Sequence, residues 1–441
     1  MKAVILAAGK GSRLVPLTYS KPKCLMPLAN KPLIQYIVQS IMELEGQSKV
    51  DEIFIVTNYL ENKLKDFFEE WSPDGIKITF VHQDTLGGTG DALKTLNGKI
   101  NEDFILANGD EVFGPETFKI ISEKFLEKRV LGVIGGMESK NPERYGVLVV
   151  NENDSLGGIV EKSPNPPGRL VSAGVYAFSP RIFEYLERIN KSERGEYELT
   201  DAIIAMAEDT SRVIVSNIDD WISVTMLWDL FEANKKKIDE LVEKNGKNVI
   251  IGKNVEIKPG VHIEGNVVIG DGAIIGPNCY IRGDTSIGKN CRIGNAVEIK
   301  NSIIMDNSKV PHLSYIGDSV IGETCNLGGG TCSANLRHDR ENVKVLVKND
   351  IIESGMHKIG FFMADYTKTG IGTMIYPGMV LGPFSWTAPN TTVSKNVEPF
   401  TFLDHGKKKK LDKKKIDTAV KNDDDKKFLK TIYEELKGLE Y

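Results

Sequence analysis

The chain has 441 residues, more than one compact core usually holds, since single domains run to about 100–200 residues. Hydrophobic residues make up 41% and charged residues 27%, a composition that excludes wholesale disorder. The 56 basic and 61 acidic residues give a net charge of −5, which excludes a general nucleic-acid binder. No apolar run approaches the ~18–20 residues that cross a bilayer, and no secretory cleavage pattern follows the apolar start, so we expect no membrane partner.

The five cysteines favour a reducing compartment, because they are odd in number and contain no CxxC pair. The same spacing argues against a zinc site. We therefore expect a cytoplasmic protein.

Up to about residue 235, apolar runs typical of strands alternate with helical segments. The predicted strands are 3–7, 52–56, 76–81, 103–106 and 130–134. Helices are predicted at 32–44, at 61–71 and, where the chain leaves this region, at 226–244. The alternation predicts an α/β fold in which helices cover a mostly parallel sheet.

A loop of small residues directly follows the first predicted strand, where residues 6–13 read LAAGKGSR. Backbone N–H groups in such a loop can approach an oxyanion closely, Arg13 adds a guanidinium fork, and Lys23 adds a second cation. The loop is neither a P-loop nor a dinucleotide-binding loop, because it lacks a following Lys-Ser/Thr pair and a third glycine. It therefore predicts a phosphate site of another kind.

Two later segments add a base site and a metal site to this prediction. Gln83 precedes LGGTG at residues 86–90, where a side-chain amide can read a base edge and the glycines leave room for the base. Asp110 follows the strand predicted at 103–106, and a carboxylate at the carboxyl end of such a strand is a natural Mg²⁺ ligand. The alternative is an ordinary turn aspartate that binds nothing.

Beyond about residue 248 a six-residue period replaces the helical one. Nine isoleucines recur at this spacing: Ile251, Ile257, Ile263, Ile269, Ile275, Ile281, Ile287, Ile293 and Ile299. Met305 continues the phase, which falters near Pro311, and residues 337–356 read as an excursion. The hexapeptide period is the signature of a parallel β-helix, in which each isoleucine points inward and three hexads make one coil. Equivalent residues of successive coils then stack about 4.8 Å apart.

Two cations on this β-helix form a candidate anion site. Arg282 and Lys300 are separated by three hexads, which make one full coil, so their side chains should project from the same face. They repel each other unless an anion bridges them. His312 follows two hexads later, although a lone histidine is more often structural. Three further polar side chains come after it: Tyr315, Asn326 and Asn335.

These patterns divide the chain into four parts: an α/β domain at 1–235, a connecting helix at 236–247, a β-helix at 248–400, and a basic tail with a C-terminal helix at 401–441. The tail carries lysines at 407–410 and 413–415 and an amphipathic helix with Phe428, Ile432, Leu436 and Leu439. The lysines have two interpretations, a solvated tether for the helix and a basic rim that helps to hold an anionic ligand.

Four motifs occur in order in the first part: LAAGKGSRLVPLTYSKPKCLMPLANKPLI, QDTLGGTGDAL, NGD and RYGVL. They resemble those of the sugar-1-phosphate nucleotidylyltransferases over about residues 1–235. The resemblance implies a Rossmann-like domain in which a sugar-1-phosphate attacks the α-phosphorus of UTP or dTTP and expels pyrophosphate. Such a reaction depends on positioning and charge neutralisation.

The resemblance also assigns roles to single residues. Arg13 and Lys23 would be the catalytic cations on the triphosphate, and Asp110 would bind Mg²⁺. The nucleotide would be bound by Leu6, Ala8, Gly9, Gln83, Gly88 and Thr89. The sugar phosphate would face Gly146, Glu161 and Lys162, near Ser172, where the family has an asparagine.

One departure from the family pattern concerns the metal. The family carries Trp-x-Asp-x-Gly before the exit helix, its aspartate being the second metal ligand, where this chain has Ser223 and Thr225. Losing a carboxylate weakens a Mg²⁺ site. We therefore expect reduced or altered nucleotidyl transfer, unless Asp219, Asp220 or Asp229 reaches the ion.

The second part carries GPNCYIRG, NAVEIKNS, KVPHLSYIGDSVIG and NLGGGTCSANLRHD. These motifs resemble the acetyltransferase half of the bifunctional N-acetylglucosamine-1-phosphate uridyltransferase/glucosamine-1-phosphate acetyltransferases, in the archaeal-type form. The resemblance covers residues 1 to about 400 and implies a left-handed, trimeric β-helix with active sites between subunits. By the same resemblance the sugar phosphate would be bound by Arg282 and Lys300, and the sugar would lie near Tyr315 and Asn326. Asn335 would position acetyl-CoA or the amine. His312 would be the general base. The backbone at 328–330 is a candidate source of oxyanion donors.

The leading hypothesis is a bifunctional enzyme that acetylates glucosamine- or galactosamine-1-phosphate with acetyl-CoA and couples the product to UTP, as a homotrimer through the β-helix. One alternative is a glucose- or mannose-1-phosphate nucleotidylyltransferase whose β-helix is only structural. Another is a non-catalytic regulatory subunit that senses nucleotide sugars.

Overall fold

The structure is a computed structural model that describes residues 1–412, 416–417, 420, 426, 429–430 and 433. The lysines at 413–415 and the predicted helix positions Phe428, Ile432, Leu436 and Leu439 lie outside the described residues. The chain forms two compact units. The first comprises Met1–Lys10, Pro22–Leu25 and Pro32–Val224, and the second comprises Gly11–Lys21, Met26–Lys31 and the chain from Thr225 onward.

The chain up to residue 224 contains thirteen strands and six α-helices among its described residues. In chain order they are β1 (Lys2–Leu6), β2 (Pro27–Leu28), β3 (Lys31–Pro32), α1 (Leu33–Met42), β4 (Glu52–Thr57), α2 (Glu61–Glu70), β5 (Lys77–His82), α3 (Thr89–Lys94), β6 (Phe104–Asn108), β7 (Glu111–Phe113), α4 (Thr117–Lys128), β8 (Gly132–Glu138), β9 (Gly146–Val150), β10 (Leu156–Glu161), β11 (Leu170–Phe178), α5 (Ile182–Leu186), α6 (Leu199–Thr210), β12 (Val213–Asn217) and β13 (Trp221–Ser223). Single 3-10 turns occur at Leu17–Tyr19, Lys23–Leu25, Gly46–Ser48, Pro142–Arg144 and Glu152–Asp154.

Nine of these strands form the mixed sheet of the first unit, in the order β10-β9-β11-β6-β1-β4-β5, with β8 beside β11 and β12 beside β8. The strands β1, β4, β5 and β6 are parallel, whereas β11 is antiparallel to β6, β8 and β9. The inner parallel strands are continuous apolar runs because helices bury both of their faces. The predicted α/β fold is confirmed, and the predicted strands and helices begin and end within four residues of the observed ones. The prediction of a mostly parallel sheet is wrong, because β11 and the pair β9–β10 add antiparallel pairings that the apolar runs did not indicate.

The second unit holds α7 (Asp229–Asn245) and a long series of short strands. They are β14 (Val249–Ile251), β15 (Glu256–Ile257), β16 (His262–Glu264), β17 (Val267–Ile269), β18 (Ile274–Ile275), β19 (Tyr280–Arg282), β20 (Thr285–Ile287), β21 (Arg292–Asn295), β22 (Glu298–Lys300), β23 (Ile303–Ile304), β24 (Lys309–His312), β25 (Tyr315–Gly317), β26 (Val320–Ile321), β27 (Cys332–Ser333), β28 (Lys344–Val347), β29 (Asp350–Glu353), β30 (Phe361–Met363), β31 (Met374–Ile375), β32 (Met379–Leu381), β33 (Trp386–Thr387), β34 (Thr392–Val393), β35 (Thr401–Asp404) and β36 (Lys407–Lys410). The predicted connector, 236–247, overlaps the C-terminal part of α7.

These strands form the predicted left-handed parallel β-helix, which has three faces. Face 1 has the order β14-β17-β20-β23-β26-β30-β32, face 2 begins β15-β18-β21-β24, and face 3 has the order β16-β19-β22-β25-β27-β31-β34. Isoleucines of successive coils pair in register, as Ile269 does with Ile287 and Ile281 with Ile299, and these side chains are almost fully buried. Ile251 is half exposed because its strand is the first in face 1 and has a neighbour on one side only.

The predicted place of Met305 in the inward column is wrong. Ile287 pairs with Ile304, not with Met305, and Ile299 pairs with Ile316, so each of these coils is one residue shorter than three hexads. The shortening occurs at the corner after Lys300. The six-residue phase cannot reveal it, since residues 303–305 are all apolar.

The predicted excursion at 337–356 is confirmed. It carries the antiparallel hairpin β28–β29, and the stack resumes beyond it when β30 pairs with β26. Lys407–Lys410 is not a tether, because it is an exposed strand, antiparallel to β35, at the end of the β-helix. Within the part of the chain that the structure describes, no helix combines the length and the apolar character needed to cross a membrane.

Candidate active sites

The loop after β1 lies at the carboxyl ends of three neighbouring parallel strands. Ala7 N donates to Val56 O at 2.9 Å, and Gly109 N donates to Leu6 O at 2.8 Å, which joins the ends of β1, β4 and β6. Ala8 is buried, whereas Gly9 is exposed, and a Cβ at Gly9 would meet no atom within 4 Å. The loop thus offers its backbone to a ligand at the edge where open α/β sheets bind ligands.

Lys23 and Asp110 form an ion pair at the same edge, with Lys23 Nζ 2.6 Å from Asp110 Oδ2. The structure therefore brings together two residues that the sequence assigned to phosphate and metal. Arg13 has an exposed side chain and lies in Gly11–Lys21, a segment of the second unit. An anion bound in the first unit would share the Lys23 ammonium group with Asp110.

Gln83 is buried after β5, and its side-chain amide is already engaged. Its Nε2 donates to Asp91 Oδ2 at 2.7 Å and to Gly88 O at 3.3 Å. Gly88 has a φ of +106°, and a Cβ there would lie 2.6 Å from Tyr197 O, so glycine is required at this turn. The residues predicted to read the base therefore lie together in one hydrogen-bonded loop.

Thr89, the first residue of α3, also has a structural contact. Its Oγ1 accepts a hydrogen bond from Leu199 N, at the start of α6, at 3.1 Å. A ligand that binds the Thr89 hydroxyl would share it with this helix end, a contact that the sequence did not indicate.

The three predicted sugar-phosphate residues lie together on the antiparallel pair β9–β10. Gly146 and Glu161 are opposite each other in register, and Lys162 N donates to Tyr145 O at 3.0 Å. Arg194, which the sequence did not single out, has a guanidinium nitrogen 3.8 Å from Glu161 Oε2. The pair β9–β10 therefore has a carboxylate, Glu161, beside Gly146 and a guanidinium group, Arg194, close to that carboxylate.

Ser223, where the nucleotidylyltransferase pattern has its second metal ligand, lies opposite Glu111 in the ribbon β7–β13. Ser223 Oγ donates to Glu111 Oε1 at 3.1 Å, and Trp221 Nε1 donates to Oε2 at 2.9 Å. Burial, and then the charge of Asp110, raise the pKa of the Glu111 carboxyl well above its usual value. A carboxyl group therefore adjoins Ser223, and it belongs to a residue that the sequence did not single out.

Asp229 has another role. Its Oδ2 accepts hydrogen bonds from Thr225 N at 2.8 Å and Met226 N at 2.6 Å at the start of α7. Ser172, the second departure from the family pattern, has its hydroxyl 3.1 Å from the hydroxyl of Tyr176. Burial raises the pKa of Tyr176 to about 12, so the phenol stays neutral beside Ser172.

On the β-helix, Arg282 and Lys300 pair in register on face 3, as their spacing predicted. Each cation has its own carboxylate. Arg282 Nε lies 2.9 Å from Glu298 Oε1, and Lys300 Nζ lies 2.9 Å from both oxygens of Asp318. The repulsion between the two cations is therefore reduced without a bound anion.

Asp318 joins Lys300 to two other predicted residues. Asn335 Nδ2 donates to Asp318 Oδ2 and, at 3.1 Å, to the hydroxyl of Tyr315. The Tyr315 hydroxyl lies above Gly317, where a Cβ would come within 2.4 Å of it, so this contact requires glycine. Burial, and then the nearby charge of Asp318, raise the pKa of Tyr315. Lys300, Asp318, Asn335 and Tyr315 form one network, called here the face-3 network.

His312 lies at the corner where face 2 turns into face 3. It ends β24, its side chain is exposed, and only residues 313–314 separate it from β25. A Cβ at Gly329 of the next coil would lie 3.4 Å from His312 Cβ. Gly330 N donates to His312 O, and Gly328 N donates to Thr369, so these two amides are not oxyanion donors in this structure.

Asn326 is not brought to the face-3 network. It is exposed on face 2, where its backbone pairs in parallel with Lys309 on one side and Lys368 on the other. Its separation from Tyr315 in sequence is not a whole coil, so the two side chains project from different faces of one chain.

Comparisons with known proteins match both units. The nucleotidyl transferase family model matches residues 2–240, and the GMPPB C-terminal domain model matches residues 263–352. The bifunctional sugar-1-phosphate nucleotidylyltransferase/acetyltransferase of Sulfurisphaera tokodaii is 40% identical over 411 residues, which cover 90% of this chain and 98% of that protein. The chain belongs to this bifunctional family.

A second relative agrees with this membership, and a solved structure shows the same fold. The bifunctional protein GlmU of Methanocaldococcus jannaschii is 38% identical over 413 residues, 91% of this chain and 97% of that protein. A crystal structure of UDP-glucose pyrophosphorylase complexed with UDP-glucose shares the fold of the first unit, with a TM-score of 0.50, 24% identity, and coverage of 54% of this chain and 98% of that chain. The enzyme therefore combines a nucleotidyltransferase and an acetyltransferase in one polypeptide.

Proposed function

We propose that this member of the bifunctional family acetylates the 2-amino group of glucosamine-1-phosphate or galactosamine-1-phosphate and then transfers a uridylyl group from UTP to the product. Residues 248–400 would carry the acetyl transfer, and residues 1–235 would carry the nucleotidyl transfer. The observation that carries the proposal is the face-3 network beside Arg282, since neither a structural β-helix nor a sensing subunit needs such a set of half-buried polar side chains around buried Asp318.

In the acetyl transfer, Arg282 and Lys300 would bind the phosphate of the amino sugar by charge-assisted hydrogen bonds. The amine attacks the thioester carbonyl carbon of acetyl-CoA, the C–S bond breaks, and the coenzyme leaves as its thiol. His312 takes the proton that the amine loses, a role suited to imidazole because its unperturbed pKa of ~6.5 lies near working pH. Tyr315 and Asn335 orient the sugar from the network.

A second copy of the chain would complete this site, because Asn326 projects from face 2 while the other sugar-binding residues project from face 3. Apolar side chains near the His312 corner are exposed in the single chain, notably Leu313, Ile371 and Met374. Burying them against neighbouring copies would stabilise an assembly. These observations support a homotrimer formed through the β-helix.

In the nucleotidyl transfer, a phosphate oxygen of the N-acetylated sugar attacks the α-phosphorus of UTP, and the bond to the β-phosphate breaks to release pyrophosphate. Lys23 and Arg13 neutralise the triphosphate, while Gln83, Gly88 and Thr89 hold the base. Gly146, Glu161 and Lys162 hold the sugar phosphate. No acid or base is needed, so catalysis depends on positioning and charge.

The residues around Asp110 fit a magnesium ion. Mg²⁺ usually takes one or two carboxylates and completes its shell with phosphate oxygens and water. Asp110 supplies one carboxylate, and Glu111 adjoins it. The described residues contain no cluster of three acidic, histidine or cysteine side chains that would bind a metal alone. When bound, the ion would neutralise phosphate charge.

The five cysteines, none of which forms a disulfide in the described chain, support a cytoplasmic location.

Product analysis by mass spectrometry tests both reactions at once. Purified protein is incubated with glucosamine-1-phosphate, acetyl-CoA, UTP and Mg²⁺, and the expected product is UDP-N-acetylglucosamine. The variant His312→Ala should lose acetylation by on the order of 1,000-fold and keep uridylyl transfer to supplied N-acetylglucosamine-1-phosphate. Normal coenzyme A release by this variant would refute the role of His312.

A further inference from the structure

Three carboxylates occupy one corner of three successive coils of the β-helix. Thr324 N donates to Asp306 O and Tyr366 N donates to Glu323 O, which stacks the corners that contain Asp306, Glu323 and Asp365. Adjacent coils lie about 4.8 Å apart, so the three negative charges repel one another. Burial, and then the charge of Glu323, raise the pKa of Asp365 to about 6. We call these three residues the acidic corner.

The positive charge that faces the acidic corner belongs to Lys21, near the start of the sequence. Lys21 forms an ion pair with Glu323, and the Lys21 side chain is only 13% exposed. Burial lowers the pKa of Lys21, but the charges of Glu323, Asp365 and Asp306 outweigh this effect and raise it. Lys21 therefore stays charged and neutralises part of the acidic corner.

Other contacts fasten the same N-terminal segment to the β-helix. Tyr19 packs against a column of aromatic rings in which Tyr366 and Phe384 stack at 4.6 Å and Phe384 and Phe400 at 5.4 Å. Asn30 Nδ2 donates to Ile287 O at 2.7 Å. These contacts explain why Gly11–Lys21 and Met26–Lys31 belong to the compact unit of the β-helix rather than to the nucleotidyltransferase sheet.

We propose that Lys21 is a positioning residue for nucleotidyl transfer, which acts by fastening the segment that carries Arg13 to the acidic corner. This inference rests on the proposed role of Arg13 at the triphosphate. Loss of Lys21 would leave buried Asp365 and its half-buried neighbours Glu323 and Asp306 without this cation and would release the segment.

Kinetics of three full-length variants test this proposal. Lys21→Met should lower kcat/KM for uridylyl transfer by on the order of 10–100-fold, mainly through KM for UTP, because small displacements of a binding group cost that much. Acetyl transfer should change less than about twofold. Lys21→Arg, which keeps the charge, should recover most of the lost activity. Lys237→Met is the matched control, since Lys237 is also a buried lysine ion-paired within the second unit, to Glu240 at 2.8 Å.

Trypsin cleavage after Arg13 gives a readout that does not depend on activity. Release of the segment should speed this cleavage in Lys21→Met and not in Lys237→Met, as seen by mass spectrometry of the fragments. Should Lys21→Met fail to fold, Glu323→Gln offers a milder test with the same expected direction. Equal loss of both activities, or unchanged uridylyl kinetics and unchanged cleavage, would overturn the proposal. A wild-type protein without uridylyl transfer, or an unimpaired Arg13→Ala variant, would instead refute the proposed function itself.

Discussion

Lys300 Nζ lies 2.9 Å from both carboxylate oxygens of Asp318, one coil away along face 3 of the β-helix. Asp318 is almost fully buried and also accepts hydrogen bonds from Asn301 and Asn335. The carboxylate therefore holds in place the cation and the amide that the proposed acetyl-transfer site uses.

The first prediction concerns Asp318. Asp318→Asn removes the charge that compensates Lys300 in a largely buried position, so the free energy of unfolding should fall by about 2–4 kcal/mol. Because Lys300 and Asn335 lose their common carboxylate, and Tyr315 is held through Asn335, kcat/KM for acetyl transfer should fall on the order of tenfold. Denaturant titration and thiol-release kinetics measure the two effects. Asp284→Asn, at a half-buried corner position paired with Lys235, is the control and should change neither by a comparable amount.

The second prediction uses the close approach at Gly317. A methyl group there would lie 2.4 Å from the Tyr315 hydroxyl and 2.8 Å from Asn335 Nδ2. Gly317→Ala should therefore displace both side chains and reduce acetyl transfer on the order of 10–100-fold, with uridylyl transfer retained. Gly158→Ala, where a methyl group meets no atom within 4 Å, is the control. An unaffected acetyl-transfer rate in Gly317→Ala would contradict the role of the face-3 network.

The third prediction addresses Ser223. Restoring the family aspartate with Ser223→Asp puts a second acidic group against the buried Glu111 and removes a hydrogen bond to it. The free energy of unfolding should fall by about 1–3 kcal/mol, because the hydroxyl that donates to Glu111 is lost and a second carboxyl group is placed against this buried one. The double variant Ser223→Asp/Glu111→Gln should recover most of this loss. Thermal unfolding of the wild type and of the single and double variants measures this difference. Equal stability of Ser223→Asp and the wild type would contradict the prediction.

The fourth prediction is a pH dependence at the acidic corner. The pKa of Asp365 is about 6 in the folded protein and about 3.9 in an unfolded chain, so the folded state binds this proton more tightly. Its contribution to stability is then complete below about pH 4 and is lost as the pH rises through about 6, a change of about 2–3 kcal/mol. The surrounding charges are Glu323, Asp306 and Lys21.

Asp365→Asn mimics the protonated carboxyl, so its unfolding temperature should fall less than that of the wild type between pH 5 and pH 8. Asp271→Asn is the control, because exposed Asp271 accepts the same kind of corner hydrogen bond, from Lys253 N at 2.7 Å. Parallel pH profiles for wild type and Asp365→Asn would show that this carboxyl does not titrate as described.

Residue spacing predicted much of the fold and of the second candidate site. The inward isoleucines specified the coil, and a spacing of three hexads placed Arg282 and Lys300 in register, because both facts follow from a strict period. The partners Glu298 and Asp318 could not be predicted, since a carboxylate at a corner or strand end has many ordinary uses. The period also failed where a corner loses one residue among apolar neighbours, at Ile304.

The first site was harder to predict in detail. Motifs located Lys23 and Asp110, but Glu111 contacts Ser223 only through the antiparallel register of β7 and β13, two strands that are far apart in sequence. The association of Gly11–Lys21 with the β-helix includes the pairing of Lys21 with Glu323 and the packing of Tyr19 on the aromatic column, neither of which a local pattern encodes. Long-range contacts of this kind require coordinates.

The register of face 3 limits how this enzyme can change in length. Arg282, Lys300 and Gly317 occupy three consecutive windings, and the hydrogen bonds between them span one winding each. A winding inserted or deleted there would separate the groups that the proposed acetyl transfer needs on one substrate molecule. Evolution can therefore extend or shorten the solenoid only beyond these windings, so size variation among relatives should concentrate near its two ends and in side excursions.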